Sequence, residues 1–190
     1  MILLVGLWGM CPNVEARERY ILRFHKIVGC EERYAWVYDN AQNQILWKRR
    51  LTNWITVHWS RDRKALAIEC QIPQHNVVET GVLVWREGYR LRFFRAPGSN
   101  DYPMGCVWSS DNRRLLVRAG GSDAADADYG ELFCLWMGRW PQYKVFKLGD
   151  AAKMAWKSNK TAIFWERESI GPRDNPGYGA LQKPRLWQAP

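Results

Sequence analysis

Several absences narrow the reading of this chain at once. No apolar run reaches the ~18 residues that cross a bilayer as a helix, so no membrane span is expected. Apolar residues never recur at i, i+3, i+4 and i+7 over three turns, which removes helix bundles. GxSxG, HExxH, a Gly-rich phosphate loop and a sequence-local Cys–His pairing are all missing, so no common catalytic motif points to an enzyme. The five cysteines (Cys11, Cys30, Cys70, Cys106, Cys134) form no CxxC and no zinc spacing. No disulfide is indicated; Cys70, Cys106 and Cys134 lie among apolar residues, where a thiol packs as a small hydrophobe. No metal and no cofactor is assigned.

What remains is an ordinary globular chain of 190 residues, 47% of them hydrophobic, which is enough to bury a core. Two figures depart from the ordinary: twelve tryptophans and a net charge of +9. The basic residues are dispersed, with only short clusters such as Lys48-Arg49-Arg50 and Arg113-Arg114. A nucleic-acid tail would form one block, so nucleic acid is a disfavoured partner and a solvated basic surface the better reading. Arg90 and Arg92 alternate with Leu91 and Phe93, a pattern that blunts an exposed strand edge.

Residues 1–16 read either as a signal peptide or as a first strand. The run from Ile2 to Met10 has the length of a signal core, and Val14-Glu15-Ala16 resembles a cleavage site; no Lys or Arg precedes the run. The first reading places the protein in the periplasm or outside the cell, the second in the cytoplasm.

The tryptophans expose an internal repeat of about 49 residues. Ile55–Ile68, Met104–Val117 and Lys153–Trp165 align around Trp59, Trp108 and Trp156. Asp62, Asp111 or Asn159 follows three places after each Trp, and Leu66, Leu115 or Ile163 seven places after. Alternation up to the Trp, a short polar turn and a returning apolar run describe a β-hairpin. A second aromatic, Tyr38, Trp85, Trp136 or Trp187, ends a short strand-like run 20 or more residues before the next hairpin Trp or at the chain's end. Each unit is therefore four short strands.

In these motifs the chain resembles the β-propellers of the WD-repeat and TolB-like kinds, whose blades carry a W-S-P-D-G-x-x-L-A hairpin and a later W-D dipeptide. The Pro position holds Arg61, Ser110 or Ser158, the Gly position holds Arg63, Asn112 or Lys160, and only Tyr38-Asp39 approaches the W-D pair. The resemblance implies an all-β fold, a β-propeller-like array of about four four-stranded blades. The units would cover about 17–51, 52–100, 101–150 and 151–190 of a single domain, 17–190. Four units are few for a propeller. Residues 17–29 would supply the last unit's outer strand and close the ring, or a second copy would complete it, or the chain is an open fragment.

Function then falls to the long connections on one face of such an array: 70–80, 96–103, 119–130 and 168–182, rich in Gly, Pro, Asn and Asp. The candidate ligand-binding residues are His75, Asp101, Tyr102, Asp123, Asp126, Asp128 and Tyr129. Three aspartates in DAADAD match the oxygen ligands of calcium, but the distal Glu of a calcium loop is missing, and a solvated loop or a basic-peptide contact is the better reading. His58 alternates with Val57 and Trp59 and is read as a structural histidine. Trp59, Trp85, Trp108, Trp136, Trp156 and Trp187, with Asp62, Asp111 and Asn159, are assigned to the repeat itself. The expected function is non-catalytic binding of a protein or peptide, with a glycan as an alternative ligand and self-association as a further outcome. The rival readings are a hydrolase or hydrolase subunit acting on glycan or peptide, and a basic protein that binds polyanions.

Overall fold

A computed structural model describes residues 18–74, 77–95, 102–120, 130–137, 143–170 and 177–189. These residues form antiparallel strands and no helix, so none of them belongs to a helix long and apolar enough to cross a membrane. β1 (Tyr20–Lys26), β2 (Arg33–Asp39), β3 (Gln44–Trp59), β4 (Ala65–Gln74), β5 (Val77–Arg86) and β6 (Arg92–Arg95) are hydrogen-bonded in that order. β7 (Tyr102–Trp108), β8 (Arg114–Gly120), β9 (Gly130–Met137) and β10 (Tyr143–Ala151) make a four-stranded meander. β11 (Lys153–Trp156), β12 (Thr161–Trp165) and β15 (Arg185–Gln188) make a third sheet, and β13 (Arg167–Ile170) pairs with β14 (Gly177–Leu181).

The six-stranded sheet contains a hand-over. The first part of β3 pairs with β2 up to Leu51, and its last part pairs with β4 from Thr52, with a register shift between Thr52 and Thr56. β3 thus ends one sheet unit and begins the next, as β10 and β11 do across the single residue Ala152. Four backbone bonds mark equivalent positions in the units: Asn40 N to Arg19 O, Glu87 N to Lys64 O, Met137 N to Arg113 O, and Ala189 N to Lys160 O. Each acceptor is the basic residue just before a strand: Arg19 precedes β1, Lys64 β4, Arg113 β8 and Lys160 β12.

Side chains alternate across these strands, so the second and third units each bury two faces against two neighbours. Leu66, Ile68, Leu83 and Trp85 pack with Ala35, Val37 and Leu51 of the first unit. Ala67, Val82 and Val84, the intervening residues, pack with Leu115, Val117, Leu135 and Met137 of the third. Leu116, Leu132 and Cys134 then pack with Ala162 and Phe164 of the fourth. Burying each large aliphatic residue contributes about 1.5–3 kcal/mol. Gly81 lets the edge strand approach, because a Cβ there would lie 2.1 Å from the carbonyl oxygen of Phe94.

The first strands of successive units run side by side, with β7 touching β3 and β11. A closed ring is not seen: among the described residues, β15 pairs with β12, and no core cluster joins the fourth unit to the first. β1, which contains most of residues 17–29, pairs with β2 from Tyr20↔Asp39 onward, so it is a strand of the first unit and does not complete the last.

Two repeat positions differ from their sequence alignment. Leu66 pairs with Trp85, but Leu115 pairs with Leu135, which places Trp136 one residue on, opposite Arg114. The third hairpin is one residue shorter, so Trp156 pairs with Ala162 and Ile163 moves to the other face.

Candidate functional site

The polar turns are built from short side chains. Ser60 Oγ donates to Asp62 Oδ1 at 2.8 Å and accepts from Ala65 N at 2.9 Å, while Asp62 Oδ1 also accepts from Lys64 N at 3.0 Å. Ser109, Asp111, Arg113 N and Arg114 N repeat this set. Asn159 works differently: its carbonyl accepts from Arg114 Nη1 at 3.0 Å and its side chain meets Ser110, so it ties the fourth unit to the third. The repeat tryptophans sit between units. Trp59 packs on the first core, Trp85 lies within it, Trp108 packs on the second, and Trp156 and Trp187 pack on the third. Trp136 lies under the Lys144 ammonium instead.

These turns occupy one end of the sheets, and the other connections leave the opposite end. The expected long loop 70–80 is instead mostly paired strand, β4 and β5 staying in register from Cys70↔Gly81 to Gln74↔Val77. Gln74 pairs with Val77, Tyr102 with Gly120, and Gly130 with Ala151, so the chain enters and leaves these connections at a common end. His75, Asp101, Asp123, Asp126, Asp128 and Tyr129 lie outside the described residues. Tyr102 is the first residue of β7 and pairs with Gly120, the last residue of β8.

Sequence reasoning missed a second constellation. His58 near the end of β3, Glu69 on β4 and Cys106 on β7 bring one donor atom each within 4.8 Å of one another. His58 Nε2 lies 2.5 Å from Glu69 Oε1. The two residues are near-opposite on paired strands, since His58 pairs with Ala67 and Glu69 with Thr56. They face the third unit because Val57 and Trp59 face the first. The Glu69 side chain is 5% exposed and that of His58 24%, and Cys106 belongs to the second core. Burial, reinforced by the charge and hydrogen bonding of Glu69, raises the Cys106 thiol well above its ordinary range. A protonated thiol is a weak nucleophile. The signal in the sequence was Glu69, a lone carboxylate inside the apolar run from Ala65 to Cys70.

A cavity of about 300 Å³ opens in the same interface, lined chiefly by Val82, Phe93, Phe94, Val117 and Leu135. Its walls are mostly apolar, with Arg95 the one charged residue lining it among the described residues.

No family model matches the chain, and no curated protein matches it. A solved structure of hydrazine synthase from Kuenenia stuttgartiensis is similar to 63% of this chain, at 17% identity and a TM-score of 0.40. The matched part is 37% of that chain, so this chain spans well under half its length.

Proposed function

We propose that this protein is a non-catalytic interaction module, a propeller-like array of four sheet units that presents the connections at one sheet end to a protein or peptide. The observation that carries this reading is the pairing of Tyr102 with Gly120 beside that of Gly130 with Ala151, which gathers the flanks of two connections at one place. Segments anchored on rigid strands can be varied for binding without disturbing the cores. The acidic run Asp123, Asp126 and Asp128 favours a basic peptide, because it is a local cluster of negative charge on a chain whose net charge is +9. The hydrolase reading is weaker. The closest His–carboxylate pair among the described residues, His58 and Glu69, lies between sheets and beside a buried thiol.

The test is a selection of displayed peptides on the full chain, followed by measured affinity on a variant with all three aspartates changed to Asn. A loss of more than about tenfold for the selected peptides supports the reading, as removal of charge partners at an interface would. Unchanged affinity rejects it for this end.

A second reading follows from the terminal sheets. Tyr34, Trp36 and Tyr38 alternate with the core residues Ala35 and Val37, and Ile163 and Trp165 alternate with Ala162 and Phe164, so two aromatic faces point away from the stack. Leu186, paired with Ile163, is 57% exposed. Such faces suit a second copy joined first unit to last. Sedimentation velocity reads this directly: a dimer that Leu186→Glu dissociates supports it, and a monomer at all concentrations rejects it.

A further inference from the structure

We propose that His58, Glu69 and Cys106 bind a divalent transition-metal ion, zinc by its chemistry, that clamps the second sheet unit to the third. The donor set is one imidazole nitrogen, one carboxylate oxygen and one sulfur, the mixture that zinc accepts with tetrahedral geometry. Bonds of about 2.0–2.3 Å place tetrahedral ligand atoms roughly 3.3–3.7 Å apart. The three donors already lie within 4.8 Å, so side-chain adjustments of about 1 Å would close the site. Positioning comes from the backbone. β3 and β4 are directly paired, and Trp108 Nε1 donates to His58 O at 2.9 Å, which fixes β7 against β3.

Charge decides the fit. Glu69 is a carboxylate at 4% exposure that meets His58 and the Cys106 thiol, and a dication would offset the cost of burying its charge. Zinc would bind Glu69 as carboxylate and Cys106 as thiolate, the thiol proton leaving to solvent as the sulfur–metal bond forms. One dication and two anions leave the site neutral. The Nε2 atom of neutral His58 completes three protein ligands, and its partial exposure leaves a fourth position to water. A buried carboxylate, a buried thiol and a partly exposed histidine converge from three strands of two units, which hydrophobic packing alone does not require.

The experiment titrates the full chain with cobalt(II), and then with zinc in competition, in a Cys11→Ser, Cys30→Ser background that leaves only Cys70, Cys106 and Cys134 as thiols. The expected result is one cobalt per chain, with a near-ultraviolet thiolate-to-metal band and the intense visible bands of a tetrahedral site, both erased by zinc. Cys106→Ser should abolish the thiolate band, and Glu69→Gln and His58→Gln should each weaken binding by more than about tenfold, with far-ultraviolet circular dichroism confirming their folds. X-ray absorption of the zinc-loaded background protein needs no ligand variant and should show one sulfur among nitrogen and oxygen neighbours. No thiolate band, a band that survives in Cys106→Ser, or a zinc shell without sulfur would overturn the proposal and leave a hydrogen-bonded His–Glu–Cys chain.

Discussion

Trp108 Nε1 donates to the carbonyl oxygen of His58 at 2.9 Å, and Trp156 Nε1 donates to that of Val107 at 2.9 Å. In both cases the acceptor immediately precedes the hairpin Trp of the unit before. Each indole therefore fills an interface and closes it with one directional bond. Trp108→Phe and Trp156→Phe should each destabilise the protein by about 2 kcal/mol, from lost area plus a half-buried carbonyl left without its donor. Urea unfolding measures this, and a change below about 0.5 kcal/mol in both would show that the bond contributes little.

Asn112 holds a left-handed conformation, with φ at +54°, inside the turn that follows Trp108. Arg63 occupies the matching place at +60°. Side chains with a bulky Cβ resist this region, whereas glycine enters it freely. Asn112→Ala should be less stable than Asn112→Gly by about 1 kcal/mol. Both variants lose the Asn112 contact to Asp62, so the difference between their unfolding midpoints isolates the backbone. Equal midpoints would refute the assignment.

Acid should weaken the first unit, through Asp39, and its contact with the second, through Glu87. Burial pushes Asp39 upward, but the Arg19 guanidinium and the amides of Ala41 and Gln42 outweigh it and hold the carboxyl below its ordinary 3.8. Glu87 accepts a hydrogen bond from Tyr20 at 2.6 Å, and that bond, aided by Lys64 and Arg19 against burial, holds it below 4.5. Carboxyls depressed by folding stabilise fully above their unfolded values and lose that contribution as pH falls through the folded ones. Stability should therefore be flat from about pH 6 to 5 and fall below about pH 4. Asp39→Asn should flatten the fall; a wild-type urea midpoint equal at pH 6 and 3 would contradict the account.

The cysteines should divide sharply in reactivity. Burial pushes the Cys70 and Cys134 thiols up to about 12 and raises Cys106 as well, while Cys30 is exposed. Brief treatment of the native protein with iodoacetamide at neutral pH should label Cys30 and spare the three buried thiols. Peptide mass spectrometry reads the pattern, and early labelling of Cys70 or Cys134 would mean that the cores open readily.

The sequence by itself determined the all-β class, the polar turns and the alternation that sets His58 against Val57 and Trp59, because these follow from local chemistry and a two-residue period. Register was decided only by pairing between strands. Trp136 aligns with Trp85 in sequence, yet Leu135 stands opposite Leu115, and the shortened third hairpin puts Ala162 where Leu66 and Leu115 stand. A slip of one residue exchanges the two faces of a strand, and where both faces are buried, as in the inner units, the strand's own pattern does not distinguish them. The His58–Glu69–Cys106 cluster was equally hidden. Its members belong to three strands of two units, and Cys106 reaches Glu69 only because Ala67 and Val82 pack on Leu115 and Val117. Local pattern fixes what a strand buries; the packing of one sheet on the next decides which polar groups are buried together.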